Sequence, residues 1–191
     1  MRSKAKYSTR FFVIISIVLL TSTLSCTKNR LEIMENTDIR RLPSITIKDF
    51  TTQYSDSGIL DMKMSAPIME SYSEVDPSYT EFREGIEVIF YDGKSAPSAK
   101  VNAKYAKLTE SKNLWELRDS VVVYSDNGST LETEQLFWEQ SENIDKIYTD
   151  RFVTIKSEDQ TIMGHGFESD SRLTKRKIKK VTATIYISNE Q

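Results

Sequence analysis

From Ile45 to the carboxyl terminus the chain alternates apolar with polar residues almost without a break. A period of two fits strands, whose successive side chains point to opposite faces. It does not fit a helix, whose apolar face recurs every three to four residues. Leu60, Met62 and Met64 fall on one side, and Asp61, Lys63 and Ser65 on the other. Similar stretches rich in β-branched and aromatic residues predict strands over 68–72, 86–91, 98–108, 114–124, 130–138, 144–156, 160–169 and 177–187. Nothing after Ile45 reads as a long amphipathic helix, so the chain predicts an all-β domain over 45–191.

Turn chemistry supports that division. Asp92-Gly93 and Asn127-Gly128 supply the positive φ that tight hairpins need, and the polar stretches 111–113, 139–143 and 157–159 separate further strands. Short connections make neighbours antiparallel. Pro67, Pro77 and Pro97 sit at or between expected strand ends, where a missing N–H costs little. A weak internal repeat adds an architecture. Sliding the chain by 31 residues pairs Asp119 with Asp150, Val122 with Val153, Leu136 with Phe167 and Ile147 with Ile178. Each unit of strand, turn and strand is too small to bury its own apolar face, so the units should stack into one core.

The amino terminus differs in kind. Arg2, Lys4, Lys6 and Arg10 precede an apolar run over 11–20, which a small, polar tail follows up to Cys26. This is a secretory signal pattern, and the run is shorter than the roughly 20 apolar residues of an ordinary membrane-spanning helix. Leu24-Ser25-Cys26 resembles a bacterial lipobox, with Cys26 as the lipidation site, although Thr23 stands where Leu is usual. The alternative is a retained signal-anchor helix. Both readings divide the chain into a signal or anchor over 1–25, a tether over 26–44 and the β-domain, tethered to a membrane outside the cytoplasm.

Charge excludes some partners. The chain has 26 basic and 28 acidic residues. Losing residues 1–25 removes four basic residues and no acidic one, which leaves 22 against 28, a net charge of −6. A body of that sign gives no basic footprint for nucleic acid. If the ligand is an anionic lipid, the attraction must come mainly from burying acyl chains.

Catalytic signals are weak. His165 is the single His and Cys26 the single Cys, which leaves neither a metal-ligand set nor a nucleophilic triad. Gly164-His165-Gly166 lacks the third Gly of a dinucleotide fingerprint and reads as a strand bulge. Asp119 and Asp150 recur within the repeat, which suits a backbone or turn-capping role better than acid and base catalysis. No enzyme, metal or cofactor is expected. The aromatic residues are more informative. Trp115, Trp138, Tyr105, Tyr148, Phe152 and Phe167 recur at strand spacing. Most such residues build core, yet a sheet folded on itself without helices can leave an apolar seam for an extended hydrophobic ligand. The groove candidates are Phe90, Tyr105, Trp115, Leu117, Val121, Leu136, Tyr148, Phe152 and Phe167.

An ordered set of stretches adds a resemblance. Ser57-Gly-Ile-Leu60, Phe82-Arg-Glu-Gly-Ile-Glu-Val-Ile-Phe-Tyr-Asp92, Asn102-Ala-Lys-Tyr-Ala106, Leu114-Trp-Glu-Leu-Arg-Asp-Ser-Val-Val-Val123, Leu131-Glu-Thr-Glu-Gln-Leu-Phe-Trp138, Ile147-Tyr-Thr-Asp150 and Gly164-His-Gly-Phe-Glu-Ser-Asp170 stand in unbroken order. Together they resemble the LptC family of the lipopolysaccharide export ABC transporter, in the lipoprotein-like form of Bacteroidota-type bacteria. The resemblance implies an open, twisted antiparallel β-jellyroll in the periplasm, anchored to the inner membrane. It implies a non-enzymatic role in which an apolar interior accepts lipid A acyl chains of lipopolysaccharide from the transporter's permease subunits. Edge-strand docking would then pass them to a periplasmic bridge jellyroll protein. Many family members keep a true membrane-spanning helix, which a lipobox at Cys26 would replace. The alternative from another class is a membrane-tethered all-β carbohydrate-binding or cell-envelope structural lipoprotein, which should display an exposed aromatic platform or a calcium-type carboxylate cluster.

Overall fold

A computed structural model of the chain describes residues 42–93, 96–141, 146–170 and 175–186. The expected signal segment, Cys26 and all but the end of the tether lie outside these residues. The described strands are β1 (Ile45–Asp56), β2 (Ile59–Tyr72), β3 (Tyr79–Phe82), β4 (Ile86–Tyr91), β5 (Pro97–Ala103), β6 (Tyr105–Thr109), β7 (Leu114–Ser125), β8 (Thr130–Glu139), β9 (Lys146–Lys156), β10 (Gln160–Asp170) and β11 (Lys177–Tyr186). A single 3-10 turn over Glu110–Lys112 is the one helical element among the described residues. Every pairing is antiparallel. The expected all-β jellyroll of stacked strand-turn-strand units is therefore the fold.

The topology explains how one sheet acquires an interior. Along one edge of β2, Met62 to Ser65 pair with β4 and Glu70 to Tyr72 pair with β3. Along one edge of β7, Leu114 to Arg118 pair with β6 and Val122 to Ser125 pair with β5. Two short ladders, β3–β6 and β4–β5, thus run side by side between the same two long strands. Beyond them β8, β9, β10 and β11 add in order, while β1 adds to the far edge of β2. The long strands bend midway, so the sheet folds into two halves that face each other across a spine.

Backbone irregularities make the spine. Asp119 and Ser120 of β7 take positive φ and stand opposite a single β8 residue, Glu134, which is a β-bulge. The Asp119 carbonyl accepts a hydrogen bond from the Lys104 N–H at 3.0 Å, where the chain crosses from β5 to β6. Asp119 therefore does backbone work, as its place in the repeat suggests. The matching bulge is in β9, where Asp150 and Arg151 stand opposite the single β10 residue Gly166, at φ 75°.

Two expectations are refined. β2 runs through Pro67 instead of stopping there, because Pro67 lies at the bend opposite Asp49, itself at positive φ, where no ladder bond from Pro67 is required. The expected strand over 98–108 divides at Lys104, since Ala103 pairs with Ile86 of β4 and Tyr105 with Arg118 of β7. The repeat is real but not uniform. Leu117, Val121 and Val123 match the burial of Thr149, Val153 and Ile155 at a spacing of 32, whereas Thr133 and Leu136 match Gly164 and Phe167 at 31. The β7–β8 turn is one residue longer than the β9–β10 turn and absorbs the difference.

The core joins both halves. Phe82, Ala106, Leu117, Leu136 and Phe167 come from one, and Met64, Val88, Val121, Leu131 and Val153 from the other. Gly164 fits this packing for a steric reason. A Cβ there would overlap the Lys180 carbonyl oxygen and lie 2.6 Å from Cγ2 of Ile178. The Gly164→Ala variant should lose about 1–3 kcal/mol, the usual cost of overpacking, with its opening concentrated between β10 and β11. Denaturant unfolding gives the loss, and faster amide exchange confined to those two strands checks the location.

Candidate functional site

The interior is an aromatic relay with an aliphatic floor. Phe50 of β1 lies 5.7 Å from Phe82 of β3, Phe82 stacks on Trp115 of β7 at 5.9 Å, and Trp115 stacks on Trp138 of β8 at 6.5 Å. Phe90 of β4 then meets Trp138 edge-on at 5.7 Å. These separations lie in the range where ring pairs attract beyond their area burial. The last contact crosses from one half-sheet to the other, at the mouth opposite the spine.

The register sorts the nine groove candidates. Phe90, Trp115, Leu117, Val121, Leu136 and Phe167 point into the interior, with Val121 and Phe167 fully shielded from solvent. Tyr105, Tyr148 and Phe152 point outward. Ala106, Thr149 and Val153 are fully buried, and strand alternation sends their neighbours to the opposite face. Aromatic character singled out these three, yet face is set by parity relative to the bulges. Trp138, Phe82 and Met64 complete the inner wall; the period-two pattern marks Met64, whereas Phe82 belongs to a strand too short for that signal.

Little space remains inside. The cavity among Val123, Leu131, Ile155 and Phe167 holds about 10 Å³, room for about one water. Arg176, just before β11, caps it. Its guanidinium donates at 3.0 Å to Oγ of Ser129, on the β7–β8 turn, and at 3.4 Å to Oγ of Ser125, the last residue of β7. The start of β11 belongs to one half-sheet and that turn to the tip of the other, so this contact also spans the mouth. Among the described residues Trp138 Nε1, buried there, has no acceptor, a loss of about 1–3 kcal/mol for an unpaired donor. On the spine side, a more open depression of about 590 Å³ lies over Phe50, Ala66, Ile86 and Ala103, with Asp49, Glu84 and Glu87 in its lining.

The outer face of the first half-sheet is a polar and aromatic ladder. Tyr72 stacks on Tyr79 at 4.6 Å, and Lys107 lies 4.0 Å from the Tyr79 ring centroid. Tyr105 packs under Arg118 at 4.1 Å and donates its hydroxyl to Glu81 at 3.1 Å. The buried carboxylate of Glu70 is ion-paired with Arg83. Burial, reinforced by Glu81, pushes the Tyr105 phenol up to about 12. Burial with the carboxylates of Glu81 and Glu70 does the same for Tyr72. Phe152 packs edge-on against the exposed His165 at 5.1 Å. Among the described residues, no group of three His, Cys, Asp or Glu is placed to share a metal ion. No described helix is long and apolar enough to cross a membrane.

A profile of the family described as lipopolysaccharide-assembly, LptC-related, matches residues 11–186. The chain belongs to this family. A search of curated proteins gives no match. Membership assigns the chain a role in lipopolysaccharide transport and assembly, among the components of that machinery in the periplasmic envelope. The family is one of transport and assembly components.

The outer tyrosines give a pH signature. An unfolded phenol loses its proton near 10, whereas Tyr72 and Tyr105 hold theirs to about 12 in the fold. Between those values the unfolded chain binds fewer protons, so the contribution present below pH 10 is lost as pH rises. Ultraviolet titration should show these two phenols among the last to ionise. In Tyr105→Phe, stability should fall less steeply across that window.

Proposed function

We propose that this chain accepts lipid A acyl chains from the permease subunits of an inner-membrane ABC transporter and passes them to a periplasmic bridge jellyroll protein, without catalysing a reaction. The observation that carries this reading is a continuous apolar interior, bounded by two half-sheets, in a domain whose end strands β1 and β11 each pair on one edge only among the described residues. Family membership supplies the cargo class.

Because the core is filled, acyl chains gain room as the half-sheets part. The spine is continuous backbone, while across the mouth Phe90–Trp138 and Arg176 with Ser129 and Ser125 are side-chain contacts. Parting the tips therefore breaks no strand ladder. Each CH₂ sheltered contributes about 0.8 kcal/mol, which offsets the apolar contacts given up. An ester or amide carbonyl of the lipid would give Trp138 Nε1 its missing acceptor. Since area and not fixed polar geometry dominates, the lipid can slide, driven by the transporter's cycle. The free edges of β1 and β11 suit strand addition to neighbouring jellyrolls.

Residues 1–25 act in this reading as a cleaved signal or retained anchor, residues 26–44 as tether, and Cys26 as the lipidation site holding the domain to the inner membrane. The tether ends where the Ser44 N–H donates to the Ser71 carbonyl at 2.7 Å.

A photo-crosslinking amino acid at Phe90, Leu117 or Leu136 should yield lipopolysaccharide adducts in cells, whereas the outward positions Tyr105, Tyr148 and Phe152 should not. Adducts only with protein from the inward set would overturn the transport reading. Mass measurement on the membrane-extracted mature chain should show a diacyl or triacyl increment on Cys26; a chain retaining Met1 would refute lipidation.

A further inference from the structure

We propose that Arg176 is a clasp and head-group contact, admitting lipopolysaccharide at the mouth by exchanging its serine partners for an anionic group of lipid A. This rests on the acyl-groove reading above and adds the place and the polar chemistry of admission.

Three observations converge on it. Arg176 bridges the two half-sheets through Ser129 and Ser125, so it restrains the direction in which the mouth must open. Directly beneath its guanidinium lie Val123, Leu131, Ile155 and Phe167, an apolar slot that is nearly closed in this conformation. A cation above an apolar slot complements an amphiphile with an anionic head and an acyl tail. The third observation is charge. Five of the six residues from Lys175 to Lys180 are basic, although the mature chain carries −6 overall. Lys179 lies back at the spine opposite Gly166, held by Asp150 at 3.0 Å and Glu168 at 3.2 Å, so Lys175, Arg176 and Lys177 are the basic residues at the mouth end of β11.

The competing opening is the larger depression on the spine side. Asp49 and Glu84 line it beside Glu87, which Lys100 pairs, and the like charge of the first two opposes an anionic head there. The smaller site wins on chemistry, because a phosphate there would bring the Arg176 guanidinium an opposite charge and a bidentate acceptor, which the hydroxyls of Ser129 and Ser125 do not carry. As the guanidinium swings to the ligand, the two tips lose their polar tie and the slot can widen.

Quenching of Trp115 and Trp138 fluorescence tests this on the full-length protein. The probes are doxyl-stearate, which has an anionic head, and its neutral methyl ester. The wild type should prefer the anionic probe by about tenfold, the discrimination that a charge-assisted hydrogen bond provides. Arg176→Ala should abolish the preference and speed quenching by both probes, because clasp and anion contact are lost together. Ser129→Ala should also speed quenching but keep the preference, since the cation remains. Purified lipopolysaccharide should displace the anionic probe from the wild type at lower concentration than phosphatidylglycerol does.

If the wild type is quenched and Arg176→Ala keeps the anionic preference, the clasp is refuted while the acyl groove stands. Equal displacement by both lipids would refute admission specific to lipopolysaccharide. No quenching in the wild type or either variant would refute the groove and the clasp together. Quenching that appears only once Arg176 is replaced would refute admission through Arg176, since the wild type would then keep the mouth shut against an anionic head. Circular dichroism and thermal unfolding of each variant confirm that the fold is intact.

Discussion

An antiparallel sheet has two faces and no inside; bends in its long strands supply one here. At the spine β7 and β9 each place two residues against one on the neighbouring strand, at Asp119-Ser120 and at Asp150-Arg151. Each extra residue adds local twist and re-aims the side chains beyond it. As a result Leu136 and Thr133 both point inward although they differ in parity, and so do Phe167 and Gly164. Without those bulges one half of β8 and β10 would turn its apolar residues to water. The interior, the mouth and the polar outer ladder all follow from this correction of phase.

The filled interior bears on transport more than a ready-made channel would. An empty apolar trough of useful length would be costly in water and prone to aggregate. Here Phe82, Trp115, Trp138 and Phe90 close on one another. In the proposed passage, acyl chains replace protein contacts with contacts of the same kind. The exchange costs little in either direction, as a carrier that must also release its cargo requires. Polar groups at the mouth then matter disproportionately, because they are not interchangeable with hydrocarbon.

Much of this was legible in the sequence, for identifiable reasons. Period-two alternation and Asn-Gly or Asp-Gly turns gave the strands from β7 onward to within a few residues. The repeat suggested stacking, and the ordered stretches from Ser57 to Asp170 suggested the family that the profile match then established. Three things were not legible. β3, of four residues, is too short for a periodic signal. A bulge leaves no reliable mark on composition, so Tyr105, Tyr148 and Phe152 looked like Trp115 and Phe167 despite facing outward. Arg176 lies 47 positions beyond Ser129, and only the folded sheet brings them together.

The two end strands are not equivalent in charge. β11 carries Lys177, Lys179 and Lys180 and no acidic residue, whereas β1 carries Asp49 and Asp56 against Lys48 alone. Two β11 edges meeting side by side would crowd six ammonium groups along one seam. Strands that pair on one edge only among the described residues are thereby kept from joining their own kind. The domain thus has a built-in polarity: in the proposed edge docking, electrostatics would favour β11 meeting an edge like β1 and disfavour β11 meeting β11.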